Sequence, residues 1–99
     1  MRAKENMSQS IYLVCEDTKQ VVHVSESSSS WFRGADSSFV VGAFCEAHFG
    51  QSLSVIDETW HIDEYTEWTV ANVEKQFALI APEKKSYLAG IRDSLNESA

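Results

Sequence analysis

Apolar positions fall into short blocks whose spacing changes along the chain. Ile11-Tyr-Leu-Val-Cys15 and Val21-Val-His-Val24 are rich in β-branched and aromatic residues, and the polar run Glu16–Gln20 separates them. Two such blocks around a short polar connector predict a β-hairpin. Ser25 to Ser30 holds five serines in six residues and reads as a loop. Trp31 and Phe32 end that loop as either a plug at the edge of the core or an exposed contact, and the plug is the expectation.

From Phe39 to Phe49 the period becomes helical. Val40, Phe44 and His48 lie on one line, with Val41, Cys45 and Phe49 beside it. Asp36, Ser37 and Ser38 are each suited to cap the first turn, and Gly50 is placed to stop the last. Nearly the whole circumference is apolar, which predicts a largely covered helix. Gly42 in its interior suggests close packing or a frayed start.

Ser52–Ile56 alternates again, with Leu53 and Val55 on one face, and reads as a strand. Trp60, Ile62, Trp68 and Val70 continue a broken period of two. A strand ending near Glu58, a turn over His61 to Glu64, and a second strand from Tyr65 to Thr69 fit it. Val70, Val73, Phe77 and Ile80 then predict a helix over 70–80, which Ala81-Pro82 ends. Leu88, Ile91 and Leu95 give a further amphipathic helix over 83–95. The expected architecture is α+β: a β-hairpin, a buried helix, one or two further strands and two C-terminal helices. It spans residues 10–96 as one domain, between a tail at 1–9 and a frayed end at 97–99.

The 99 residues fit one domain, and 43% hydrophobic residues suffice for one modest core. No apolar run approaches membrane-spanning length, and the first ten residues lack the apolar segment of a signal peptide. The expected compartment is the cytoplasm, with Cys15 and Cys45 as buried free thiols.

Charge changes the picture most. The net charge is −7, and residues 36–69 carry all of it, with seven acids and no base. Its densest part is Asp57 to Trp68, where Asp57, Glu58, Asp63, Glu64 and Glu67 stand among Trp60, Tyr65 and Trp68. Direct nucleic-acid binding is not expected, because it draws on Lys and Arg that neutralise phosphates. A basic protein surface is the electrostatically favoured partner. Aromatic rings would anchor it and carboxylates would steer it, and closely spaced acids can even imitate a nucleic-acid backbone, as small inhibitors do. The candidate partner-binding residues are therefore Asp57, Glu58, Trp60, Asp63, Glu64, Tyr65, Glu67 and Trp68. The rival is an ordinary solvated rim with the rings turned inward.

No glycine-rich phosphate loop, nucleophile elbow or dinucleotide fingerprint occurs, so no enzyme and no cofactor is expected. Metal binding is the alternative. Cys45 and His48 at i, i+3 share a helical face, and Cys15 or His23 from the hairpin together with His61 from the acidic stretch could complete a tetrahedral zinc site. The second close-spaced ligand pair usual in structural zinc sites is missing.

Overall fold

The β-rich first third folds into the expected hairpin. β1 (Gln9–Cys15) and β2 (Gln20–Ser27) pair antiparallel, Cys15 opposite Gln20 and Gln9 opposite Ser27. The computed structural model describes residues 9–34, 37–60, 62–84 and 86–87. Gln9, expected in the tail, is the first residue of β1. The turn at 16–19 closes with Lys19 at φ 57°, in the left-handed region. A bulge interrupts the hairpin: Ile11 faces Ser25 and Tyr12 faces His23, so Val24 is an extra residue on β2.

Three further strands complete a mixed sheet, and one was not expected. β3 (Phe32–Gly34) adds antiparallel to β2 opposite Ser25–Ser27, β4 (Ser54–Asp57) adds antiparallel to β1, and β5 (Thr66–Trp68) runs parallel to β2 opposite Gln20–Val22. Trp31 and Phe32 do not plug the core: β3 lies at the sheet edge, leaving them 46% and 70% exposed. The two apolar residues of β4 lie on opposite faces of the sheet. Ile56 is buried and Val55 is 70% exposed, because Val55 lies on the helical face of an edge strand, outside the helix-covered core.

Alternation along the strands separates two apolar layers. On one side, Cys15 and Val22 join α1 (Ser38–Ala47), α2 (Val73–Ile80) and Trp68 in the main core. Ser37 caps α1, its Oγ accepting from the Val40 N–H at 3.2 Å. Phe39, Val40, Ala43, Phe44, Ala47 and His48 form the buried stripe of α1. The far side is open, contrary to expectation: Cys45 and Phe49 are exposed. A ten-residue helix lying on a sheet, flanked by α2, is covered along one stripe only. At its C-terminal end Gly50 takes φ 90°, and Lys84 Nζ donates to the Glu46 carbonyl at 2.9 Å. That cation completes the end of the helix, where its partial charge is negative.

α2 begins three residues later than expected, after a turn over 70–72. Pro82–Lys84 form a 3-10 turn, and most of the helix expected over 83–95 lies outside the described residues, with its stripe Leu88, Ile91 and Leu95. Among the described residues no helix is long and apolar enough to cross a membrane.

Gly42 has neither of the expected reasons to be glycine. It is exposed in mid-helix, and a Cβ built on it meets nothing within 4 Å. Gly42→Ala should therefore stabilise the protein by about 0.5–1 kcal/mol through helix propensity and reduced unfolded-state entropy. A rise in urea midpoint at constant m checks this; an unchanged or lower midpoint would mean the site needs glycine.

Candidate functional site

The acidic stretch is a crossover. β4 ends at the Gln9–Ser10 end of β1, whereas β5 starts opposite Gln20 at the other end of the hairpin. The chain must return between them, and Ile62 and Tyr65 place that return on the sheet face that carries no helix. Ile62 and Tyr65 pack there against Val14, Val21 and Ile56, the second apolar layer. Without them that layer would meet water.

Both ends of the crossover are pinned by side chains. Asp57 Oδ1 accepts from the Thr59 N–H at 2.9 Å, and its Oδ2 accepts from Gln9 Nε2 at 2.7 Å. Glu58 Oε1 accepts from the Ser10 N–H at 2.9 Å. A 3-10 turn at Ile62–Glu64 follows, and the Thr66 N–H then donates to the Lys19 carbonyl at 3.0 Å. The Tyr65 hydroxyl donates to Glu16 at 2.7 Å, with Lys19 Nζ 5.0 Å above its ring. The Glu16 hydrogen bond, more than burial or charge, raises the Tyr65 phenol above its ordinary pKa.

The eight candidate residues thus divide. Asp57 and Glu58 hold the crossover to β1, and Tyr65 is half-buried beneath the sheet. Trp68, expected in the partner-binding set, is instead a core residue at 2% exposure. It meets Phe44 edge-on at 5.2 Å between ring centroids, and its indole N–H donates to Gln20. The pleat explains this, since Trp68 lies opposite Val22 and shares its helical face. Trp60 is 51% exposed, and Asp63, Glu64 and Glu67 are exposed as well.

One participant was not anticipated. Tyr12 lies at the middle of the non-helical face, its ring 5.4 Å from that of His23. Its pKa is raised first by burial, then by the carboxylates of Glu67, Glu58 and Glu26, against a hydrogen bond from Ser10 that lowers it. Acids from three strands or strand ends therefore converge on one phenol. Only strand register brings them together, and no local spacing encodes it.

The metal alternative fares differently. Cys45 is exposed while His48 is buried, so the two do not share a face. His48 Nδ1 donates to the Phe44 carbonyl at 2.8 Å, which leaves Nε2 as acceptor for the Thr18 hydroxyl at 2.9 Å. The lone pair a metal would need is already engaged. Cys15 Sγ lies 3.3 Å from Gln51 Oε1, to which it donates. His61 lies outside the described residues. Among those residues no three His, Cys, Asp or Glu side chains form a group able to hold a metal ion. Comparison with protein-family models, with curated proteins and with solved structures finds no match, so a functional reading of this chain rests on the geometry of its crossover and sheet.

Proposed function

We propose that this chain is a non-enzymatic interaction module that binds a basic protein surface through the exposed side of its crossover. Trp60 is the anchor, and Asp63, Glu64 and Glu67 are the steering charges. The observation that carries this reading is the pairing of a half-exposed tryptophan with three carboxylates that form no ion pair with a described Lys or Arg. A ring of that size held at the surface supplies the contact area that dominates interface energetics. Solvated carboxylates following it in the chain accelerate encounter with a basic partner and repel acidic ones. A protein whose basic groove normally takes a nucleic-acid backbone belongs to the class of partner that fits.

The test separates binding from folding. The double variant Asp63→Asn, Glu64→Gln should melt within about 0.5 kcal/mol of the parent, because exposed charges contribute little to stability. It should nevertheless lose the salt-sensitive partners that the parent retains from its native lysate. Trp60→Ala should lose the same partners. Equal recovery by all three proteins at low and high salt would make the crossover a solvated rim and end this reading.

A further inference from the structure

β3 pairs with β2 on one side, and no described strand pairs with its outer edge. The direction of its backbone groups is fixed by the turn that precedes it. The Trp31 carbonyl accepts from the Ser28 N–H at 2.8 Å and so points back to β2. Backbone groups alternate between the two sides of a strand, so the N–H and C=O of Phe32 point outward. The Phe32 ring is 70% exposed and that of its neighbour Trp31 46%. Glu26 and Arg33 are the only charges between Ser25 and Gly34, and they pair at 2.8 Å. This edge is therefore aromatic and locally neutral in a chain of net charge −7.

We infer that this edge receives β3 of a second copy of the chain, antiparallel across a two-fold axis normal to the sheet, with Phe32 opposite Phe32. The inference does not rest on the binding mode proposed above. Direction and charge select the occupant. Phe32 carries an outward donor and an outward acceptor, so at the axis the two copies exchange both hydrogen bonds and leave neither group unpaired. The same register sets Arg33 opposite Trp31, so no like charges meet, and a planar guanidinium faces a ring on which it can stack. A strongly charged foreign strand gains nothing from a neutral edge, whereas an identical edge gains ring burial. β5 has no such option. Its Thr66 N–H points to β2, so Glu67 points outward and would face the same residue of a second copy. β4 exposes no ring. The acids of the two copies stay apart. Glu67 lies opposite Val21 and Phe32 opposite Ser27, so the axis leaves the two Glu67 residues roughly 30 Å apart along the strands, several Debye lengths. Two rings from each copy bury less than a standard interface, so the dimer is weak and forms at high concentration.

Sedimentation velocity of the full chain, over about a hundredfold range of concentration reaching the near-millimolar, reads the association. The expected result is a monomer–dimer equilibrium with no larger species. Added salt should strengthen it, because salt screens the repulsion between two chains of −7. A mixture of 13C-labelled and unlabelled chains should give intermolecular NOEs between the two Phe32 rings and from Arg33 to the Trp31 indole. Phe32→Lys, and Phe32→Thr with its strand propensity kept, should each weaken the dimer at least tenfold. Their melting at high dilution should stay close to the parent's, because the ring is already mostly in water. Val55→Lys, at an exposed position of the β4 edge, should leave the dimer intact. A monomer at every concentration, a dimer that either Phe32 variant leaves unchanged or that Val55→Lys abolishes, or growth into larger assemblies would overturn the assignment. None of these readouts involves a basic partner. Their failure therefore leaves the Trp60 reading standing, and a failed partner capture leaves the dimer standing.

Discussion

Trp68→Ala should cost about 3–5 kcal/mol of folding stability, the range for removing a large ring from a well-packed core. Three contributions lie behind this figure. The indole is 2% exposed and fills the main apolar layer, so its loss leaves a cavity bounded by Phe44 and His48. Its N–H is the partner of the Gln20 amide oxygen, which sits on a residue that is itself buried and would be left without that donor. It also ends β5, whose three residues pair only with β2, so the strand loses its main attachment to the helical side. Against a total stability of about 5–15 kcal/mol for a domain of this kind, that is a large fraction. Trp60→Ala is the control, with an expected cost below about 1 kcal/mol because half the ring is already in water. Urea unfolding of the two variants beside the parent decides it. Equal losses would mean that Trp60 is as structural as Trp68, and the surface anchor would disappear.

The contrast between the two tryptophans marks how far local pattern reaches. Period-two alternation and β-branched residues suffice for the hairpin, and a capping serine ahead of the line Val40, Phe44, His48 suffices for α1. The strand, turn and short strand between Ser54 and Trp68 also follow their pattern. Alternation says that Trp60 and Trp68 stand on repeating faces, but which face is inside depends on the partner strand. β5 joins β2 in parallel, 46 residues after Gln20 in the chain, by the pairing Gln20 with Thr66. That choice turns Trp68 into the core and Glu67 toward Tyr12. The same kind of long-range pairing binds Asp57 and Glu58 to Gln9 and Ser10. The acidic stretch was thus visible as chemistry, while its division into pins, cover and exposed charge was not. Trp31 and Phe32 show the reverse limit. Large rings suggest burial by composition, and a three-residue edge strand leaves them outside.

His48 should make the fold sensitive to mild acid, and replacing it should both weaken the protein and remove that sensitivity. The ring is buried between Phe44, at 4.3 Å centroid to centroid, and Trp68, at 5.8 Å. Its neutral form satisfies both nitrogens, donating to the Phe44 carbonyl and accepting from Thr18. A second proton on Nε2 would charge a buried ring and displace the Thr18 donor. Burial accordingly lowers the His48 pKa below its ordinary 6.5, with the Phe44 hydrogen bond opposing in part. The unfolded chain then takes up the proton first as pH falls. The contribution of this residue is fully present above about pH 6.5 and is lost below it, down toward the depressed folded value. The urea midpoint of the parent should fall between pH 7.5 and 5.5, before most carboxylates titrate. His48→Ala should lose about 3 kcal/mol at pH 7.5, from the cavity and from the Thr18 hydroxyl left without its partner; the Phe44 carbonyl keeps the backbone N–H of residue 48. His48→Gln, which keeps polar reach without titrating, should retain more stability. Both variants should show a flatter midpoint over the same pH range. A parent midpoint that stays level to pH 5.5, or variants that keep the full slope, would place the acid response elsewhere in the fold.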